Sequence, residues 1–279
     1  MVKITAQMVN ELRQKTGVGM MECKKALVES NGDVSAAIEH LRKAGIAKAA
    51  KKAGRSATQG KLVVLSNDEA TVLVEVLCET DFVAKTGEFT TFAEETAAKA
   101  LQEFDVDGDI SEELAALVSD DLKALIGKLG ENMQVRRALR WQNGGNRIGT
   151  YLHTGVPYGV MVEVGGECDD ELLNNICLHV CASNPSYISA ADVPAEFIAK
   201  EREIAAAQPE LQGKPANIME GILKGKMNKI YKEICLMEQP WIDDEKSSLS
   251  KVAPNVKVLR FVRWLVGEGG AEESADTDN

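Results

Sequence analysis

The decapeptide Val72-Leu-Val-Glu-Val-Leu-Cys-Glu-Thr-Asp81 returns as Val160-Met-Val-Glu-Val-Gly-Gly-Glu-Cys-Asp169, displaced by 88 positions, with six of ten residues identical. A repeat of this kind constrains the fold strongly, because each copy has to be one supersecondary unit and two copies imply two related α/β units. In the first copy Val72, Val74 and Val76 alternate with Leu73 and Glu75, which predicts an extended segment with one fully apolar face. Lys61 to Leu65 and Thr71 to Leu77 read as strands joined by the turn Ser66-Asn-Asp-Glu. Helices are expected to follow at about 88–103, 111–128 and 131–141, interrupted by Asp105-Val-Asp-Gly-Asp and by Gly130.

The two copies part after their shared aspartate. Asp169 is followed by Asp170, whereas Asp81 is followed by Phe82. Thr80 and Asp81 each offer a side-chain oxygen able to cap a helix, so Phe82 stands where the chain turns. Two readings are open. The ring packs inward with Val83, Phe89 and Phe92 as ordinary core, since most phenylalanines are buried, or it is left standing out for a purpose that the second copy does not share.

Elsewhere the pattern is modular. Residues 1–55 read as three helices, capped by Thr5 and Asp33 and broken at Thr16-Gly-Val-Gly19 and at Asn31-Gly32, with Gly45 as the final stop. So small a core is marginal alone and should lean on a neighbour or a partner. An Ala/Lys/Gly-rich connector over about 46–60 leads to the first repeat, 56–141; the second comprises 142–190 and 235–267. Between them, residues 191–234 predict an antiparallel helical hairpin, whose second helix carries Ile218, Ile222, Leu223, Met227, Ile230 and Ile234 at near-heptad spacing. Val256 to Val266 reads as a late strand returning to the second unit, and 268–279 as an acidic tail with little capacity to fold by itself. The class is therefore α+β.

Several chemistries are excluded by what is missing. No Gly-x4-Gly-Lys-Ser/Thr loop, no Gly-x-Gly-x-x-Gly after a strand, no Gly-x-Ser-x-Gly elbow and no His-Glu-x-x-His occurs, so the chain is not expected to bind a nucleotide itself. The three histidines, His40, His153 and His179, lie far apart. Cys177, His179 and Cys181 suggest a metal cluster only briefly, because on a helix 177 and 181 share a face that 179 does not. No metal or cofactor is expected. The six cysteines read as reduced, buried small residues, and the chain shows neither an export signal nor a membrane span, which makes the cytoplasm the default location.

Charge is uneven. Residues 1–61 carry 12 Lys/Arg against 5 Asp/Glu, and the remainder 20 against 38. The acidic bulk repels phosphate backbones and argues against direct nucleic-acid binding. The basic N-terminal end either steers toward an acidic protein surface or simply solvates a helix.

Two stretches carry a family resemblance. Glu75-Val-Leu-Cys-Glu-Thr-Asp-Phe-Val-Ala-Lys85 and Leu12-Arg-Gln-Lys-Thr-Gly-Val-Gly-Met-Met-Glu-Cys-Lys-Lys-Ala-Leu27 resemble the two signatures of the bacterial translation elongation factor Ts family, in the expected order. The resemblance runs from about Ile4 to about Gly267. It implies a ubiquitin-associated-like helical module at the N-terminus and a nucleotide exchange factor for elongation factor Tu that is not itself an enzyme. It also implies that the Thr80-Asp81-Phe82-Val83 turn inserts near the magnesium edge of the partner's nucleotide site, with Asp81 and Phe82 as the intruding residues. Lys24, with Leu12 in the same signature, would serve the same partner domain. Leu129-Gly130-Glu-Asn resembles a further contact, with Leu129 standing where isoleucine is expected. His153 resembles a contact from the second unit, although its neighbours match less well. The acidic tail departs from the longer C-terminal helix of some members.

Two other classes compete with this reading. A small-molecule enzyme would use Asp81, Glu163 or His153 as acid/base groups in a deep pocket. A non-catalytic scaffold would bind a protein tail through the N-terminal module and self-associate weakly through the hairpin.

Overall fold

The computed structural model describes residues 2–211 and 214–269. The chain forms two compact units: one comprises the chain through Gln142 and again from Leu265, the other Asn143–Trp264. Each contains its own antiparallel sheet with helices, an α+β architecture.

The first unit opens with α1 (Ala6–Thr16), α2 (Met20–Glu29) and α3 (Val34–Lys52). Thr5 and Asp33 cap α1 and α3, accepting from the N–H of Met8 at 3.3 Å and of Ala36 at 3.0 Å. Then come β1 (Gln59–Ser66), β2 (Ala70–Cys78), the single-turn α4 (Asp81–Ala84), α5 (Gly87–Gln102), β3 (Gly108–Asp109), α6 (Ser111–Leu117), α7 (Ser119–Leu129) and β4 (Met133–Gln142). The sheet order is β1-β2-β4-β3.

Four findings refine or correct the expectations here. First, β2 has the expected fully apolar face of Val72, Val74 and Val76, and as a central strand it also buries Leu73, Glu75 and Leu77. Second, 131–141 is not a helix but contains most of β4. Val76 pairs with Val135 and Glu75 with Arg137, so Arg136 is the extra residue of a β-bulge. The bulge puts buried Val135, Ala138 and Trp141 three residues apart, a spacing that mimics a helix. Third, the single helix expected over 111–128 breaks at Val118, whose φ of −97° and ψ of 7° let a buried side chain end α6 and begin α7. Fourth, α3 does not stop at Gly45. That glycine lies where α3 crosses α7, and a Cβ added to Gly127 would come 2.8 Å from its Cα. The glycine serves close helix approach, and α3 continues to Lys52.

This crossing is where the small core of the N-terminal helices (Val9, Leu12, Cys23, Ala26, Leu27, Ala37) finds its support. Arg42 of α3 meets Asp120 of α7 at 2.6 Å, and the Lys52 ammonium donates to the Gly130 carbonyl. The larger core of the unit packs α5, α6 and α7 on one face of the sheet through Val72, Val74, Val76, Phe89, Phe92, Leu114 and Ile126.

The segment from Leu265 is pinned to this unit by a buried carboxylate. Glu75 accepts from Arg137 Nε at 2.7 Å, Arg137 Nη2 at 2.9 Å and Gly267 N at 3.0 Å, while Arg137 also donates to the Leu265 carbonyl at 3.0 Å. Gly267 has φ of +75°, and a Cβ there would sit 2.2 Å from the Thr58 carbonyl oxygen, so no other residue fits without displacement.

The second unit comprises β5 (Arg147–Leu152), β6 (Tyr158–Gly166), α8 (Asp170–Ser183), α9 (Ala195–Ala206), α10 (Ala216–Ile234), β7 (Pro240–Trp241), β8 (Asp244–Ser248), α11 (Leu249–Val252) and β9 (Val256–Leu265). Its sheet runs β5-β6-β9, the counterpart of β1-β2-β4. The repeat extends beyond the decapeptide. Aligning β4 on β9 matches Val135 with Val258, Arg137 with Arg260, Arg140 with Arg263 and Trp141 with Trp264. Buried Val160, Val162 and Val164 pack with Leu173, Ile176, Cys177 and Val180 of α8.

Helices α9 and α10 form the expected hairpin, closed by Ala205, Leu211, Leu223 and Met227, while Ile218 stays exposed. Gly213, in the expected turn, and the acidic tail from Gly270 lie outside the described residues. All six cysteines are buried and free.

Candidate partner-binding site

The strand β2 ends at Cys78, and the chain turns at once into α4. Thr80 is the helix cap: its Oγ1 accepts from Val83 N at 3.3 Å. Asp81 does not cap but pairs with Lys85 one turn on, at 2.7 Å, and that bond holds its carboxyl below the usual aspartate range. The turn directs alternate residues apart. Val83 is half-buried against the core of α5 and the sheet, whereas Phe82 is 80% exposed. The inward-packed alternative for Phe82 is therefore wrong; Phe89 and Phe92 fill that core instead.

Leaving the ring in water forgoes the roughly 1.5–3 kcal/mol that its burial would contribute. The turn is nevertheless held firmly. Glu131, just beyond α7, receives the Thr80 N–H on Oε2 at 3.0 Å and the Thr80 hydroxyl on Oε1 at 2.7 Å. In return Glu79 accepts from Asn132 N at 2.6 Å, which lowers its pKa, with Arg55 as a lesser cause. Asn132 in turn donates its amide to the Arg55 carbonyl at 2.7 Å. Below the turn, the Cys78 thiol donates to the Thr80 carbonyl at 3.2 Å, and burial pushes its pKa up to about 12.

The sequence-predicted residues fall into three groups. Thr80, Asp81, Phe82, Val83, Leu129 and Gly130 come together at this clasp, with Leu129 half-buried and Gly130 exposed as the left-handed cap of α7, φ +80°. Lys24 is exposed on α2, beside exposed Met21 and Val28. Leu12 is corrected: it is 0% exposed in the three-helix core and shapes the module rather than touching anything outside it. His153, in the second unit, is exposed and its Nδ1 lies 2.9 Å from the Tyr151 hydroxyl. Glu79, Glu131 and Asn132 were not singled out individually. The clasp joins positions 51 to 53 residues apart, so local spacing carries no sign of it.

The acid/base candidates Asp81, His153 and Glu163 are each bonded within the chain. Glu163 is buried and bonded to Arg260 at 2.6 Å and Asn146 at 2.8 Å. A cleft of about 400 Å³ between the N-terminal helices and α7 is lined by Val18, Ala26, Leu41 and Lys48 among others, and by none of Asp81, Glu163 or His153. His179 stacks on Trp241, not between Cys177 and Cys181. Among the described residues no group of three or more His, Cys, Asp or Glu is placed to hold a metal, and no helix is long and apolar enough to cross a membrane.

Comparison with known proteins adds an independent line. A family model described as elongation factor TS matches residues 79–268. The chain is 45% identical to elongation factor Ts of Alcanivorax borkumensis, over 96% of each chain. It is 48% identical to elongation factor Ts of Thioalkalivibrio sulfidiphilus, over 95% of this chain and 93% of that one. Against elongation factor Ts of Methylococcus capsulatus it is 45% identical over 99% of this chain and 96% of that one. A family-model match from the clasped turn onward, together with relatives 45–48% identical over 95–99% of this chain, means that the chain belongs to the elongation factor Ts family.

Proposed function

We propose that this protein is a guanine nucleotide exchange factor that binds elongation factor Tu in the cytoplasm and promotes GDP release, without covalent chemistry, metal or cofactor of its own. The observation that carries the reading is Phe82, 80% exposed beside the Asp81 carboxylate at the end of a buried strand. A large apolar ring held in water on a clasped turn suits insertion into another protein. The adjacent carboxylate suits competition for magnesium or for the groups that hold phosphate.

Exchange requires only that the factor bind the empty partner more tightly than the loaded one. Moving that equilibrium from 1:99 to 99:1 takes about 5.5 kcal/mol of differential binding. Burying one phenylalanine supplies roughly 1.5–3 kcal/mol. The remainder has to come from other contacts, for which Lys24, the Leu129–Gly130 corner and His153 are the candidates.

The test is to mix the purified chain with elongation factor Tu loaded with a fluorescent GDP analogue. Acceleration of release in proportion to added chain is expected, and release at the intrinsic rate would refute the reading. Co-purification from a lysate separates the scaffold alternative: one GTPase partner freed by added GDP supports exchange, and a mixed set of partners supports a scaffold.

A further inference from the structure

The geometry points to Glu131 as the positioning residue that makes Phe82 effective, an inference that rests on the exchange reading. A four-residue helix cannot stand on its own hydrogen bonds, because nucleation fixes several residues for one bond. Something outside α4 has to hold it, and Glu131 does so at the cap. A hydroxyl has one proton and two lone pairs. With that proton given to Glu131 Oε1 at 2.7 Å, a lone pair of Thr80 Oγ1 is left facing Val83 N at 3.3 Å. The second carboxylate oxygen takes the Thr80 N–H at 3.0 Å, so one side chain fixes both the cap's backbone and its hydroxyl. Charge-assisted bonds of this kind are the stronger class.

Glu131 itself is aimed by Gly130, whose left-handed φ of +80° ends α7 and whose N–H closes on the Ile126 carbonyl at 2.9 Å. The reciprocal bond from Asn132 N to Glu79 at 2.6 Å locks the opposite side of the same crossing. Phe82 receives no such restraint from its own ring, which is 80% exposed. Its direction is thus set through Thr80 by Glu131. This part of the Leu129–Gly130–Glu131 corner acts on the turn from within, whatever it touches outside.

The test compares wild type, Glu131→Gln, Phe82→Ala and the double variant in GDP release from elongation factor Tu. Glutamine keeps the size but turns an N–H₂ toward one of the two Thr80 donors. Glu131→Gln is expected to lower the release rate at saturating factor about tenfold, equivalent to about 1.4 kcal/mol, with the half-saturating concentration little changed. In the Phe82→Ala background the same substitution should then have almost no further effect. Equal losses in both backgrounds would show that Glu131 acts independently of the ring and would overturn the inference.

Normal release by Glu131→Gln beside slow release by Phe82→Ala would overturn this inference alone. Normal release by Phe82→Ala would remove the ring from the mechanism and this inference with it, whereas release at the intrinsic rate by wild type would remove the exchange reading. Hydrogen exchange guards against a folding artefact: the Thr80 and Val83 amides should lose protection in Glu131→Gln while those of β2 keep it. Loss of protection throughout β2 would count against a positioning role.

Discussion

Glu75 in β2 and Glu163 in β6 hold equivalent places in their sheets, each buried at mid-strand and each bonded by an arginine Nε from the neighbouring strand, Arg137 at 2.7 Å and Arg260 at 2.6 Å. The two pairs occupy matching positions of both repeated segments. A buried ion pair is a weak source of net stability, but removing one partner strands the other charge. Glu75→Ala is therefore expected to cost about 3–5 kcal/mol, read as a lower urea midpoint. Glu163→Ala should cost less, because Arg260 keeps more access to water. Equal or negligible losses would show that the arginines find other partners.

The crossing of α3 and α7 gives an asymmetric prediction. A methyl on Gly127 would sit 2.8 Å from Gly45 Cα, whereas a methyl on Gly45 meets nothing closer than 3.7 Å. Gly127→Ala should destabilise by about 1–3 kcal/mol through overpacking. Gly45→Ala should be neutral, or stabilising by up to about 1 kcal/mol through helix propensity. Thermal midpoints of the two variants check the order.

His179 makes the second unit sensitive to acid. It is fully buried and stacked on Trp241, with centroids 5.1 Å apart. Gln239 spends its amide on the Ser183 and Glu233 carbonyls, so its oxygen accepts from His179 Nε2 at 3.1 Å. Nδ1 has no partner, and burial lowers the pKa from its ordinary value of 6.5, the Gln239 bond opposing only in part. With the folded pKa depressed, the stabilisation is present above about pH 6.5 and is lost as pH falls, because the unfolded chain takes up the proton first. The slope approaches about 1.4 kcal/mol per pH unit for one such group. Urea unfolding at pH 7.5 and 5 should show a drop that His179→Phe reduces, and an unchanged drop in that variant would assign the pH dependence elsewhere.

What could be read beforehand followed from local chemistry. The caps at Thr5 and Asp33, the hairpin at Ser66–Glu69 and the helical hairpin of α9 and α10 all announce themselves within a few residues. The strand β4 did not, because the bulge at Arg136 shifts its alternation into a helix-like spacing. Its likeness to β9, including the shared Arg and Trp positions, was present in the chain and was obscured by that helical reading. The exposure of Phe82 could be posed but not decided, since it depends on which of two neighbours, Phe82 or Val83, the core accepts. The Glu131 clasp was illegible for a simpler reason: it joins positions that only the pairing of β2 with β4 brings together.

The most direct test of the central claim is the rate of GDP release from elongation factor Tu at saturating concentrations of wild type and of Phe82→Ala. Losing the roughly 1.5–3 kcal/mol of an inserted ring corresponds to a release rate about 10- to 150-fold slower, with the variant close to wild type in stability because the ring is 80% exposed. Equal saturating rates for the two proteins would contradict the claim that this exposed ring drives the nucleotide out.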